Sequence, residues 1–289
     1  MQSDDLIARS DGERREFDFT DANFDRVRKL IYDHAGISLS PSKREMVYSR
    51  LGRRLRVLGL SSFDEYLELL ETGNGEEWEA FTNSLTTNLT SFFREEHHFP
   101  ILADLMRRHK GDRIVLWCCA ASTGEEPYSM AITAAETFGT LTPPVKILAT
   151  DLDTNVLAKA QDGVYAMERL EKMSEERMRR YFLRGSGKQT GFARVRDELR
   201  NLITFRQLNL LDTNWPIRGP LHAIMCRNVM IYFDKPTQLA ILKQFVPLLR
   251  PDGLMFAGHS ESFHHAANLF SLRGKTVYEL ASAARSVKH

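Results

Sequence analysis

One stretch of the chain indicates its fold class: Ile114-Val-Leu-Trp-Cys-Cys-Ala-Ala-Ser-Thr-Gly-Glu-Glu-Pro-Tyr128. It begins with a continuous apolar run of strand length and passes through a polar turn into a predicted helix. Thr123 and Glu126 have the spacing of a capping box, so Thr123 is expected to cap this helix. Buried strands that are followed directly by helices predict a parallel sheet covered by helices.

The same alternation continues toward the C-terminus. Further strands are predicted at 145–150, 202–208, 221–226, 254–258 and 277–280. The segment 184–196 interrupts the alternation, because it is rich in glycine and basic residues where a short connection is expected. It predicts a small antiparallel hairpin, inserted at about 180–200. Residues 113–289 are therefore predicted to form an α/β domain, in which helices cover a parallel sheet and the hairpin is an insertion.

The first third of the chain has only helical patterns. Four amphipathic segments lie between residue 20 and about residue 87, and the first is expected to stop at Gly36. Capping-box spacings at Ser42/Glu45 and Ser62/Glu65 predict the starts of the second and third helices. The second helix is expected to bury Val47, Leu51, Leu55 and Leu58. We predict an all-α domain over 1–88 and a connector with a linker helix over 89–112.

Composition excludes several classes of protein. The 289 residues are 43% hydrophobic and 27% charged with a net charge of +1, as in a soluble globular protein without whole-chain attraction to nucleic acid or membranes. No apolar run is long enough to span a bilayer and the first residues are charged, so a cytoplasmic location is expected. Three cysteines (Cys118, Cys119 and Cys226) lie in apolar runs and predict buried reduced thiols. The paired histidines lack ligand spacing, so no metal is expected.

Polar side chains follow the first two strands, where a doubly wound sheet binds its ligands. The first turn contains only Gly124 rather than Gly-x-Gly-x-x-Gly, which disfavours a pyrophosphate ligand. Asp151 ends the second strand and could accept the hydroxyls of a ribose, while Glu125 could bind an ammonium group. Either acid alone would more often be a capping or solvated carboxylate. Together they favour a phosphate-free nucleoside such as S-adenosylmethionine.

The chain resembles the chemotaxis receptor methyltransferases (CheR) in five motifs, which occur in the family's order over nearly the whole chain. They are Thr87-Asn-Leu-Thr-Ser-Phe-Phe-Arg94, Ala120-Ala-Ser-Thr-Gly-Glu-Glu-Pro-Tyr128, Ala149-Thr-Asp-Leu-Asp153, Cys226-Arg-Asn-Val-Met-Ile-Tyr-Phe-Asp234 and Phe256-Ala-Gly-His-Ser-Glu261. The resemblance implies a helical N-terminal domain and a Rossmann-like class I methyltransferase domain with a β-subdomain. It also implies methyl transfer from S-adenosylmethionine to receptor glutamates, which yields glutamyl methyl esters and S-adenosylhomocysteine.

The resemblance also implies roles for individual residues. The positions that match the family's cofactor contacts are Asn88, Thr90, Arg94, Glu125, Asp151, Asn209, Leu210, Arg227 and Asn228. Arg94 and Tyr232 match the two residues expected beside the transferred methyl group, and are the predicted catalytic residues. No general base is expected, because a glutamate substrate is already ionised at neutral pH.

Two surfaces are predicted to bind the receptor. Between Asp25 and Leu60 the chain has nine Lys and Arg residues against three Asp and Glu residues. The resemblance assigns the basic second helix to the receptor's acidic helices, through Arg50, Arg53, Arg54 and Arg56. It assigns the insertion to a C-terminal tether peptide of the receptor, through Arg184, Gly185, Gly187, Gly191 and Arg194.

Two other functions remain open from the sequence. The chain could be a signalling module that senses S-adenosylmethionine without catalysis, or a nucleic-acid-binding protein that uses the basic helix. The favoured interpretation is the receptor methyltransferase. It is expected to be a monomer that neither binds nucleic acid nor inserts into a membrane.

Overall fold

The computed structural model describes residues 16–73, 75–86 and 89–285. Within these residues the chain divides into two compact units. The first unit extends to Leu85, and the second begins at Thr86 and also includes His34–Ser38. Within the described ranges, no helix combines the length and the apolar character needed to cross a bilayer.

The first unit is built from helices: α1 (Asp21–Ala35), whose last two residues belong to the second unit, α2 (Arg44–Leu58), α3 (Phe63–Glu71) and α4 (Gly75–Leu85). As predicted, Gly36 follows α1 with a φ of 65°, a conformation that favours glycine. Ser62 caps α3, because its side chain accepts the N–H of Glu65 at 3.2 Å.

The start and the end of α2 differ from the prediction. A 3-10 turn over Pro41–Lys43 precedes this helix, and no side chain caps its first residue, so the predicted Ser42 cap is wrong. Val47, Leu51 and Leu55 are buried as expected, but Leu58 is 38% exposed. The helix ends at Leu58, and Gly59 follows it with a φ of 68°. Leu58 therefore lies in the last turn, beyond the buried part of the helix.

The second unit begins with α5 (His98–Arg108) and continues as an α/β domain. Its further helices are α6 (Glu125–Phe138), α7 (Thr154–Asp162), α8 (Glu175–Tyr181), α9 (Asp197–Arg200), α10 (Lys235–Leu248) and α11 (Ser282–Arg285). Its strands are β1 (Ile114–Cys118), β2 (Val145–Asp151), β3 (Val164–Ala166), β4 (Phe182–Arg184), β5 (Phe192–Val195), β6 (Ile203–Gln207), β7 (Leu221–Met225), β8 (Leu249–Phe256), β9 (Phe270–Gly274) and β10 (Val277–Leu280).

Seven strands form the main sheet in the order β6-β2-β1-β7-β8-β10-β9. The first five are parallel, and β10 pairs antiparallel with both β8 and β9. The strand order reverses at β1, which pairs with β2 on one side and with β7 on the other. In open α/β sheets this reversal opens a ligand crevice at the carboxyl ends of the strands. The predicted Rossmann-like fold class is confirmed.

Alternate residues of β1 point to opposite faces of the sheet. Leu116 and Cys118 pack in the apolar cluster that contains α5 and α6, whereas Trp117 and Cys119 pack in the cluster that contains α10. Both faces are therefore covered, which explains the continuous apolar run in the sequence. All three cysteines are buried and free of disulfide bonds, as predicted.

The insertion forms a second, three-stranded antiparallel sheet in the order β3-β5-β4. The hairpin of β4 and β5 confirms the prediction, and β3 is an additional strand that the sequence pattern did not indicate. Gly185 lies at the start of the hairpin loop. A Cβ atom at Gly185 would lie 2.1 Å from the carbonyl oxygen of Gln189, so only glycine fits there.

Candidate active site

A cleft lies in the second unit, at the carboxyl ends of β1, β2, β6 and β7. The apolar part of its lining is formed by Ala35, Ile37, Leu89, Cys119, Ala120, Leu152, Leu208, Leu210, Val229 and Phe233. The polar part is formed by Thr86, Thr90, Arg94, Ser122, Glu126, Asp151, Asn209, Arg227, Asn228 and Tyr232.

Most of the predicted site residues lie together in this cleft. They are Thr90, Arg94, Asp151, Asn209, Leu210, Arg227, Asn228 and Tyr232. Asn88 lies outside the described residues. Glu125 is not part of the lining, and its neighbour Glu126 is.

Asp151 ends β2 with its carboxylate held by backbone groups. One oxygen accepts the N–H of Ser122 at 2.8 Å and the other accepts the N–H of Asp153 at 3.0 Å. Because each carboxylate oxygen offers two lone pairs, both oxygens can accept a further hydrogen bond from a ligand hydroxyl. Burial raises the pKa of Asp151 to about 6, although the two N–H groups act against it.

The two glutamates at the start of α6 have different partners. The Glu125 carboxylate accepts the Thr123 hydroxyl at 2.6 Å and forms an ion pair with Arg169, and the residue is fully buried. The residue before α6 is Gly124, with a φ of 98° and no side-chain cap, so the predicted Thr123 cap is wrong. Glu126 instead faces the cleft.

Arg227 is the centre of a buried ionic network. Its side chain has no exposed surface and lies 2.7 Å from Glu126 and 3.3 Å from Glu95. It also donates to the backbone carbonyl of Arg94. Burial alone would raise the pKa of Glu95, but hydrogen bonds from His259 and the charge of Arg227 outweigh it and lower the pKa to about 2. Burial raises the pKa of Glu126.

Arg94 and Tyr232 reach the cleft from different segments. Arg94 lies in a tight turn before α5, and its guanidinium donates to the carbonyl of Leu89 at 2.8 Å. Tyr232 ends a short 3-10 turn that follows β7. Four non-glycine residues around the cleft have positive φ angles, namely Phe93, Glu95, Ser122 and Asn228. Such backbone conformations persist only where surrounding contacts enforce them, and they concentrate at functional sites.

The cleft suits a phosphate-free nucleoside that carries an amino-acid tail. Gly124 does not offer an open backbone to a pyrophosphate, because a Cβ there would lie 2.7 Å from the Tyr165 hydroxyl and 2.9 Å from the Ala160 Cβ. Two acids line the cleft. Asp151 can accept hydrogen bonds from ribose hydroxyls, and Glu126 can accept one from an ammonium group. Arg227 also borders the cleft, and its Nε is buried without a hydrogen-bond partner among the described residues.

Comparisons with known proteins agree with this chemistry. Residues 88–279 match the family described as CheR methyltransferase, SAM binding domain, and residues 22–86 match the CheR methyltransferase all-alpha domain. The chain belongs to the CheR methyltransferase family. S-adenosylmethionine is therefore its cofactor, and the cleft is the candidate site for that molecule.

Curated CheR relatives cover most of the chain. The chemotaxis protein methyltransferase of Escherichia coli (strain K12) is 56% identical over 263 residues, covering 91% of this chain and 92% of that protein. Chemotaxis protein methyltransferase 2 of Pseudomonas aeruginosa is 57% identical over 271 residues, covering 92% and 96%. A probable chemotaxis protein methyltransferase of Rhizobium etli is 41% identical over 262 residues, covering 86% and 96%. This CheR protein thus functions in chemotaxis as a methyltransferase.

Three residues around the site were not predicted from the sequence. Glu126 was assigned only to a helix cap, and Glu95 and Arg169 received no role. Arg169 comes from the segment between β3 and α8, and donates to the carbonyl of Thr90 at 3.2 Å as well as to Glu125. The doubled glutamate was the one available signal for Glu126. Nothing in the sequence distinguished Glu95 or Arg169 from solvated side chains.

The pKa of Asp151 predicts a pH dependence for cofactor binding. As the pH falls through about 6, Asp151 gains a proton and loses acceptor capacity, so ribose affinity should decrease. Methylthioadenosine has the ribose but lacks the amino-acid tail that would face Glu126. Its dissociation constant, measured by calorimetry from about pH 5 to about pH 8, is expected to rise toward acid.

The matched control for this measurement is Asp151→Asn. This variant should bind methylthioadenosine weakly at every pH, with a flatter profile across the same interval. A wild-type affinity that is constant over the interval would contradict the role of Asp151.

Proposed function

We propose that this CheR protein transfers the methyl group of S-adenosylmethionine to glutamate side chains of chemoreceptors and forms glutamyl methyl esters. The observation that carries this proposal is the convergence of Arg94, Tyr232 and Asp151 on one cleft. The relatives are chemotaxis protein methyltransferases, which supports a substrate in the chemotaxis system.

The reaction requires orientation more than acid or base chemistry. When bound, the cofactor supplies an electrophilic methyl group on a sulfonium and leaves as S-adenosylhomocysteine. A substrate glutamate is ionised at neutral pH, so no residue of the chain has to remove a proton. In-line alignment of a nucleophile with its target contributes roughly 7 to 11 kcal/mol in the best-oriented reactions.

Arg94 and Tyr232 are the residues that would provide this alignment. The guanidinium of Arg94 offers forked donors to a carboxylate, which fixes the direction of its second oxygen. Tyr232 would fix a substrate oxygen or line the path of the methyl group. Arg94 must not hold the ground-state carboxylate too tightly, since only interactions that strengthen in the transition state accelerate the reaction.

The basic face of α2 is our proposed surface for the acidic helices of the receptor. Its arginines differ in how much they are engaged within the first unit. Arg54 pairs with the buried Glu77 at 2.6 Å, Arg56 pairs with Glu16 at 2.7 Å, and Arg50 donates to the carbonyl of Ser84 at 3.2 Å. Arg53 is exposed, which makes it the arginine best placed to meet a partner.

Arg53→Glu is therefore expected to raise the KM for a receptor fragment while kcat stays unchanged, because the change acts on docking alone. The effect should shrink as salt is added. Steady-state kinetics of receptor methylation measure both constants, with Arg108→Glu, another exposed arginine, as the matched control. A KM equal to that of the control would exclude Arg53 from the docking surface.

The β-subdomain is our proposed second docking site, for a short peptide at the receptor C-terminus. β4 is an edge strand of the small sheet, so a peptide strand could add to it. Leu183 and Phe192 are exposed on this subdomain, at 43% and 42%. Our proposed peptide contacts are Arg184, Gly185, Gly187, Gly191 and Arg194, which belong to β4, β5 and the loop between them. We further propose that the protein acts as a monomer in the cytoplasm.

Labelling of a receptor fragment tests the proposed function. The protein is incubated with methyl-labelled S-adenosylmethionine and the cytoplasmic part of a chemoreceptor, and peptides are then mapped by mass spectrometry. Glutamyl methyl esters that mild alkali hydrolyses are expected, and a fragment whose glutamates are replaced by alanine should stay unlabelled. Alkali-resistant label would contradict the proposal. Cofactor binding without transfer would favour a sensor, and salt-sensitive nucleic-acid binding without labelling would favour the third function.

A further inference from the structure

The segment from Cys226 to Phe233, here called the Tyr232 loop, follows β7 and carries three polar residues of the cleft: Arg227, Asn228 and Tyr232. It has an unusual backbone, because Asn228 has a φ of 58° and a 3-10 turn spans Met230–Tyr232. Asparagine tolerates this conformation better than most residues, but it still requires support from its surroundings.

The buried side chain of Glu261 supplies part of that support through a hydrogen bond to the backbone of Asn228. It is 5% exposed, and one carboxylate oxygen accepts the N–H of Asn228 at 2.9 Å and the N–H of Gly258. Burial raises the pKa of Glu261, and the N–H groups of Gly258, Asn228, Met230 and Ile231 act against this effect. Both hydrogen bonds go to the same carboxylate oxygen, and the other oxygen, Oε1, is buried without a partner at hydrogen-bond distance in the described part of the chain.

The backbone beside Glu261 is shaped for this contact. A Cβ atom at Gly258 would lie 2.3 Å from the side-chain amide nitrogen (Nδ2) of Asn228 and 2.9 Å from a carboxylate oxygen of Glu261. Glycine at position 258 therefore lets the carboxylate and the loop approach each other closely.

A second buried side chain holds the loop from its other end. The amide of Gln238 in α10 donates to the carbonyls of Met230 at 2.9 Å and Phe233 at 3.0 Å. Glu261 thus accepts the Asn228 N–H near the start of the loop, while Gln238 donates to two C=O groups farther along it. Gln238, which does not line the cleft, therefore holds the turn that carries Tyr232 at its start and just after its end.

We propose that Glu261 is a positioning residue for methyl transfer, which acts by holding the backbone of Asn228 directly and, through the loop that Asn228 begins, the position of Tyr232 in the cleft. The proposal rests on the proposed function only for the choice of methyl acceptor in the assay. Displacing a reacting group by about 1 Å can cost about 10²-fold in rate. Loss of the Glu261 contacts should therefore lower kcat more than it weakens binding.

Two variants test the proposal. In Glu261→Gln the amide oxygen can still accept a backbone N–H, but the NH2 group that replaces the second oxygen is a donor and cannot accept one. Glu261→Ala removes every side-chain contact. The matched control is Glu176→Gln, at an exposed glutamate of α8. Folded protein is quantified by thermal unfolding and by the number of S-adenosylhomocysteine binding sites, and receptor methylation is expressed per binding site.

We expect kcat per binding site to fall about tenfold in Glu261→Gln and about 10²-fold in Glu261→Ala, with the KM for receptor little changed. Wild-type kcat per binding site in either variant would overturn the proposal, because a purely structural glutamate changes only the number of sites. If Glu261→Ala does not fold, Glu261→Gln decides alone. Failure of the proposed function would appear separately, as absence of labelling by the wild-type protein.

Discussion

Arg94→Ala is expected to lower the rate of methyl transfer by about 10²- to 10³-fold, the effect of removing one preorganised donor from a transition state. The guanidinium borders the cleft, and the backbone of Arg94 is held separately by Arg227. The variant should therefore keep its fold and most of its affinity for S-adenosylhomocysteine. Single-turnover labelling of a receptor fragment measures the loss, and calorimetry measures the affinity.

Arg94→Lys separates the two properties of the side chain. Lysine keeps the charge but cannot present two parallel donors to a carboxylate, so we expect an activity between those of Arg94→Ala and the wild type. Near-normal turnover of Arg94→Ala would refute the assigned role. Equal loss in both variants would point to the forked geometry rather than to the charge.

Arg227→Met is expected to destabilise the second unit by about 3 to 5 kcal/mol, because it leaves the buried Glu95 and Glu126 without their cation. The free energy of unfolding in urea measures this loss. Arg108→Met removes an exposed arginine and should change the stability by no more than about 0.5 kcal/mol.

A combined variant tests the cause. Adding Glu95→Gln and Glu126→Gln to Arg227→Met removes the uncompensated charges, so part of the lost stability should return. Arg227→Met with the stability of Arg108→Met would show that the buried network contributes nothing to folding.

Most of the fold could be predicted from the sequence, because strands that are buried on both faces have continuous apolar sequences. β1, β2, β6, β7 and β10 lie within about two residues of the predicted runs. The strand β9 was missed because only Phe270 of its residues is buried, so it lacks an apolar pattern. The short strand β3 was missed because three residues do not establish a period.

The site was predictable where a residue lies directly at the end of a strand, as Asp151 does. The prediction was weaker where roles depend on partners far apart in the sequence. Glu126 and Arg227 are 101 positions apart, and only the fold shows that they pair. Glu125 and Glu126 are chemically equivalent in the sequence, and the turn at Gly124 determines which of them reaches the cleft.

The most direct test of the account is a crystal structure of the full chain with S-adenosylhomocysteine. In that structure the ribose hydroxyls are expected to bind Asp151, and the sulfur atom is expected to lie beside Arg94 and Tyr232. Density for the ligand outside this cleft, or a ribose that does not contact Asp151, would contradict it.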